Sequence, residues 1–150
     1  FVPRINNGEV EFFGINKSKI DSVVVDANFS TICINNNDDF YCILAILNSN
    51  WTKFILEDIC TKFGGGALKV EAIHLKKLFY PKFDKEQLEI LNKIGKKMAR
   101  MSRNHHIEKS ADNIILKALL GSASHKIDET VDILEKKLIE MINERKLLWK

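Results

Sequence analysis

Eleven residues, "CTKFGGGALKV" from Cys60 to Val70, place three consecutive glycines between Lys62 and Lys69. Glycine-rich runs beside lysines bind phosphate when backbone amides and an ammonium converge on it. A nucleotide loop needs G-x-x-x-x-G-K-[ST] between a strand and the start of a helix, so that the helix N-terminus faces the anion. Here the apolar spacing predicts the opposite order: helix, glycines, strand. No Lys-Ser or Lys-Thr follows Gly66. The helix end offered to Gly64 is then the carbonyl end, which repels phosphate. The same polarity speaks against a dinucleotide fingerprint. A phosphate on a nucleic-acid backbone is the remaining reading, beside the plainer one of a tight turn.

The other chemistry-bearing residue types are dispersed. His105 and His106 adjoin in a basic stretch and read as a solvated helix end. His74 stands alone on an apolar segment, with Glu71 three residues before it; packing or a backbone contact is its ordinary role, a base contact the functional one. His125 precedes the last predicted helix. No HExxH pair occurs, and no carboxylate cluster has metal-ligand spacing. Cys33, Cys42 and Cys60 are odd in number and far apart, with no C-x-x-C pair, which reads as reduced, mostly buried thiols.

The 150 residues are 45% hydrophobic and 29% charged, which suits a globular protein with its own core. No run of about 18 apolar residues exists to span a membrane, and no secretory pattern is present. A cytoplasmic location is the expectation. The opening Phe-Val-Pro, without an initiator Met, reads as a piece of a longer chain. Charge is uneven: residues 1–52 hold three basic and six acidic groups, 53–109 thirteen and seven, 110–150 seven of each. The excess cations therefore surround and follow the glycines.

The elements that must position these groups follow from periodicity. "FVPRI" and "EVEFFGI" flank Asn7-Gly8, a tight-turn signal, and "DSVVVD" and "FSTICI" continue as β-branched strands. The polar run 35–39 breaks the pattern. Asp39 is placed to cap a helix carrying Tyr41, Leu44, Ala45 and Leu47. Asn48-Ser49-Asn50 interrupts it, and Trp51, Phe54, Ile55 and Ile59 resume at helical spacing, ended by glycines 64–66. "ALKVE" predicts a short strand and "AIHLKKL" a turn or short helix. Asp84 with Gln87 forms a capping box opening a helix over 84–103, with Leu88, Leu91, Ile94, Met98 and Met101 along one side. A shorter helix is capped at Ser110 and stopped by Gly121. The last helix spans about 126–149, with Ile127, Val131, Leu134, Leu138, Met141, Arg145 and Leu148 as a heptad seam broken by Arg145. Asp128 and Glu129 open it and Lys146 and Lys150 close it, as the helix dipole favours. The fold class is α+β: an N-terminal twisted β-sheet with short helices, then a helical part whose long terminal helix packs on helix 84–103.

One ordered set of motifs carries a resemblance. Leu47-Asn48-Ser49 ends a helix, a second helix leads to Gly64–Gly66, and a strand precedes the pair Leu75 and Leu78. Phe79, Tyr80 and Pro81 follow, then Glu86-Gln87 with Ile90 and Leu91. This order, most specific over 44–91 and extending to residues 1–100 with "FVPRIN" as an opening strand, resembles the target-recognition domain at the C-terminal end of N6-adenine DNA methyltransferases and of fused type II restriction–modification enzymes. It is similar also to the half-domains of type I restriction specificity subunits. The tail, 104–150, departs from the pattern.

The resemblance implies a division of labour. A catalytic domain upstream in the parent chain holds S-adenosylmethionine and an Asn/Asp-Pro-Pro-aromatic motif that grips a flipped adenine. This chain's prolines, Pro3 and Pro81, are never adjacent. Residues 1–103 are then a reader of double-stranded DNA without the writer, needing no cofactor of its own, and 104–150 a helical extension packed on it. Cations would hold phosphates and polar groups would read bases. The candidate DNA contacts are Arg4, Asn50, Lys53, Lys62, Gly64, Gly65, Gly66, Lys69, His74, Lys76 and Lys77. Several have duller readings: Asn48, Ser49 and Asn50 as caps, Trp51 as core, Arg4 as an exposed strand residue. The basic side of helix 84–103, with Lys93, Lys96, Lys97, Arg100 and Arg103, reads as a solvated face. The competing expectation is a protein-interaction or spacer module whose 126–149 seam docks a partner helix or a second copy. The expected partners are therefore DNA, the upstream catalytic domain and, through the terminal helix, the chain itself.

Overall fold

Asn48 shows how the first half of the chain is pinned. Its side chain accepts from the Phe12 amide at 2.9 Å and donates to the Phe12 and Leu44 carbonyls at 3.0 and 3.2 Å. One amide group thus ends a helix and ties it to the N-terminal segment. The computed structural model describes residues 1–15, 22–34, 39–100, 104–121 and 126–147, and it has the α+β architecture read from the sequence. The expectations at 35–38, Met101, Arg103, His125, Leu148 and Lys150 lie outside the described residues.

Helix α1 (Phe40–Leu47) stops at Asn48, and α2 (Asn50–Ile59) starts at once, with the Ser49 hydroxyl accepting from the Thr52 amide. The joint is the one predicted, and its polar residues work as caps. Asp39 precedes α1 without a side-chain cap. The β content is smaller than expected. Strands β1 (Val2–Pro3) and β3 (Phe29–Ser30) pair in a two-stranded sheet. Strands β2 (Ile5–Asn6), β4 (Thr61–Phe63) and β5 (Ala67–Lys69) form a second, antiparallel sheet in the order β2-β5-β4. Asn7-Gly8 therefore closes no hairpin: β2 takes β5 as its neighbour, and the chain past Gly8 meets Phe1 by reciprocal 2.8 Å bonds at Phe13. A tertiary partner has overridden a local turn signal. The expected strand over Val23–Val25 does not form, and Val24 stands 98% exposed.

The glycines do not stop α2 either. That helix ends at Ile59, β4 intervenes, and Gly64–Gly66 turn the β4–β5 hairpin. After α3 (Ala72–Leu75), the Asp84–Gln87 capping box opens α4 (Lys85–Met98) as predicted. Helix α5 (His105–Leu120) begins earlier than Ser110: Asn104 caps it through the His106 amide, while Ser110 lies inside and bonds the His106 carbonyl. Gly121, at φ +85°, ends it as expected.

Helix α6 (Ile127–Leu147) corrects the packing partner. It lies against α2 and α5, whereas α4 packs on α1 and α5. Its buried positions are Ile127, Val131, Leu134, Leu138, Ile142 and Arg145. That spacing averages the 3.6 residues of a straight helix, so Ile142 replaces the heptad's Met141. Three apolar clusters form the interior. Val2, Val10, Phe12, Leu56 and Leu68 join the sheets to α1 and α2; Ala45, Leu91, Ile94 and Ala111 join α1, α4 and α5; Leu116, Ile127, Val131 and Leu134 join α5 and α6, with Trp51 and Phe54 packed on them.

Candidate nucleic-acid interface

Cross-strand partners in a sheet share a face. The register Ile5↔Lys69↔Thr61 and Phe63↔Ala67 therefore puts Ile5, Lys69, Thr61 and Phe63 on one side. Ile5 and Phe63 are 50% and 40% exposed, Thr61 is exposed, and Lys69 is partly so. The opposite side, with Asn6 and Leu68, faces the core. Lys62, the partner of Leu68, and Arg4, next to Ile5, stand on that second side by the same alternation but are exposed at the sheet's edges, and Ala67, opposite Phe63, is buried on the first. Arg4 is held by its backbone, which donates to Asn28 and accepts from Val70. Lys69 bonds Glu71 at 2.9 Å, and that bond first, with the charges of Lys69, His74 and Arg4, holds the Glu71 carboxyl below its ordinary range. Lys76 and Lys77 are exposed at the end of α3.

The glycines divide. Gly66 donates its amide to the Phe63 carbonyl, closing a four-residue turn with Gly65 at φ +80° and Gly66 at φ +72°. Both conformations suit glycine. Gly64 and Gly65 are exposed, whereas Gly66 is buried beneath the C-terminal end of α6. A Cβ on Gly66 would meet the Arg145 carbonyl oxygen and the Lys146 Cα at 3.0 Å. The helix end near the glycines is thus a carbonyl end, as the polarity argument required, but it belongs to α6 rather than α2.

Besides the buried Gly66, three expected DNA contacts lie inside the protein and are corrected. Asn50 and Lys53 are 2% exposed and His74 7%. Lys53 bonds Glu108 at 2.8 Å and Glu9 at 3.3 Å, and the His74 ring accepts from the Glu71 amide at 3.1 Å. The cause is a polar stripe on α2. Asn50, Lys53 and Glu57, at i, i+3 and i+7, face inward toward Asp112 and Glu108 on α5 and Arg145 on α6. Charge on that stripe is spent inside the fold, so these residues offer nothing to a ligand outside.

Sequence reasoning took Arg145 as a flaw in a seam. The structure makes it a centre: 1% exposed, it meets both Glu57 carboxylate oxygens at 2.9 Å and donates to the carbonyls of Gly66, Gly8 and Asn6. Its spacing with Leu138 and Ile142 was the signal. Phe63 and Lys146 were also missed as neighbours of the glycine turn. The surplus cations that surround and follow the glycines fall in two places, on the β4–β5–α3 side and on the exposed side of α4 with Lys93, Lys96 and Lys97 and, just past its end, Arg100. Lys109 is occupied by Asp132 and Glu135.

Elsewhere an apolar cleft of about 340 Å³ opens among Phe1, Phe13, Val23, Ile32 and Phe40. Among the described residues no His, Asp, Glu, Lys or Arg side chain lines it. Burial pushes the Cys42 and Cys60 thiols up to about 11 and about 12. Among the described residues no three His, Cys, Asp or Glu side chains gather as a metal site, and no helix is long and apolar enough to cross a membrane. Comparison with protein-family models, with curated proteins and with solved structures finds no match for this chain.

Proposed function

We propose that the chain is a double-stranded DNA recognition module of a restriction–modification adenine methyltransferase, with S-adenosylmethionine and the methyl transfer belonging to a catalytic domain of the parent chain. The observation that carries this reading is the outer side of the β2-β5-β4 sheet, with Thr61 and Phe63 exposed and Lys69 partly so, and with Arg4 and Lys62 exposed at the sheet's two edges. Cations with polar and apolar groups on a rigid sheet are what phosphate positioning and base-edge contact require. The ordered motifs add support, because those of 47–78 have positioning tasks at or behind that face. Asn48 and Ser49 set the α1–α2 joint, Gly65 and Gly66 turn the hairpin, and Leu75 and Leu78 pack on the cluster under the sheet. The spacer reading loses its motive, since the apolar seam of α6 is covered by α2 and α5.

Titration of the chain with duplex DNA at about 50 and about 200 mM salt tests the proposal. Binding on the order of 10⁻⁴ to 10⁻⁶ M, weakening steeply with salt, is the expected result for a reader separated from its companion domain. Lys62→Ala, Lys76→Ala and Lys77→Ala should each reduce the slope of log K against log salt by about 1. Lys93→Ala and Lys97→Ala on α4 should leave it alone. Salt-independent or undetectable binding would refute the assignment.

A further inference from the structure

The tip of the β4–β5 hairpin joins three properties that an ordinary sheet edge lacks. It ends in an exposed aromatic: Phe63, the last residue of β4, is 40% exposed. It is narrow, because Gly64 and Gly65 follow with no side chains and nothing lies within 4 Å of where a Gly65 Cβ would sit. And it is held from behind: the Gly66 carbonyl accepts from buried Arg145, whose guanidinium is fixed by Glu57. A narrow, anchored tip loses little freedom on binding.

Charge surrounds the tip on both sides. Lys69 lies 5.5 Å from the centre of the Phe63 ring and is paired with Glu71. Lys62 precedes Phe63 on the free edge strand. Lys146, 80 positions beyond Gly66 in sequence, is exposed, and its Cα lies 3.0 Å from where a Gly66 Cβ would be. An aromatic tip between cations fits a polyanion whose interior is apolar. B-DNA's major groove, about 12 Å wide, admits a two-stranded ribbon and offers thymine methyl groups for apolar contact.

Resting on the DNA-reading assignment above, we propose that the β4–β5 hairpin enters the major groove of duplex DNA, with Phe63 against base edges and Lys62 and Lys146 on the flanking phosphates. Phe63 then supplies contact without charge, and the lysines supply charge without base selectivity.

The salt dependence separates these roles. Phe63→Ala is expected to weaken duplex binding about tenfold while leaving the salt slope at the wild-type value. Lys146→Ala, like Lys62→Ala, is expected to lower the slope by about 1. Phe63→Trp should retain binding, and its emission should change on saturation with duplex by more than the wild-type chain's own tryptophans do. Wild-type affinity in Phe63→Ala would overturn the groove contact and leave the DNA assignment standing. Absence of salt-dependent duplex binding by the wild-type chain would overturn the assignment itself. If Phe63→Ala lowers the thermal midpoint, the tryptophan variant decides: emission unchanged at saturation overturns the proposal. Equal or tighter binding to single strands would also overturn it, because a groove exists only in the duplex.

Discussion

Asp112 holds the least comfortable charge in the molecule. Its side chain is fully buried, and one oxygen accepts from the Trp51 amide at 2.9 Å, at the start of α2. Desolvation first, and the Glu108 carboxylate in lesser part, raise its carboxyl from 3.8 to about 7, against the Trp51 hydrogen bond, the neighbouring Asn50 amide and the Lys53 charge. Lys53 is shared with Glu108 and Glu9, and His105 lies 3.5 Å from Glu108, so one lysine serves three carboxylates. The folded state holds the Asp112 proton more tightly than the unfolded state does. Its contribution to stability is therefore complete below about pH 4 and is lost as pH rises through about 7, at about 1.4 kcal/mol per unit of pKa difference. Asp112→Asn keeps an acceptor for Trp51 and removes the ionisation. Urea unfolding of both proteins should give a difference that is small at pH 4 and grows in the variant's favour toward pH 8. A difference flat across that range would show that Asp112 ionises freely in the fold.

At the scale of elements, two glycines decide how closely backbones meet. Gly95 sits inside α4, where alanine ordinarily stabilises a helix by about 1 kcal/mol. Here an added Cβ would lie inside the van der Waals envelope of the Tyr41 backbone, because α1 crosses α4 at that point. Gly95→Ala should therefore destabilise by about 1–3 kcal/mol or more, as overpacking does, reversing the propensity sign. Gly66→Ala combines a positive φ with contact against α6, whereas Gly65→Ala has the positive φ and open space. Chemical denaturation should rank Gly66→Ala clearly below Gly65→Ala, the latter losing about 1 kcal/mol. Equal losses would mean that α6 yields at the turn. The helices themselves were legible: the Asp84–Gln87 box, the Ser49 cap and the Gly121 stop are local devices that spacing reveals. The strands were not, because pairs two or three residues long owe their existence to their neighbours.

Across the whole molecule, Arg145 ties the last helix to the first strands and to α2. Removing one partner leaves a buried charge alone. Arg145→Met or Glu57→Leu should each cost about 3–5 kcal/mol in urea unfolding, and the two together should recover a large part of that loss. Additive losses in the double variant would show that the pair is not coupled. The same contact places α6 on the glycine turn, so α5 and α6 share their interior with the elements before them: α5 meets α1, α2 and α4, and α6 meets α2.

By itself the sequence determined the α+β class, the order of the helices, the Asn48–Ser49 joint, the Asp84–Gln87 opening of α4 and the Gly121 stop of α5. These follow from short-range rules of periodicity, capping and glycine's freedom at positive φ. Only the tertiary structure decided which cations reach solvent. Along the chain Lys53 reads as a DNA contact, Asn50 as a DNA contact or a cap and Arg145 as a break in an apolar seam, and whether such a residue is buried depends on a partner arriving from 44 to 88 positions away. Helical spacing fixes the side on which a residue stands; the charge that meets it there belongs to another element, and no local pattern specifies that.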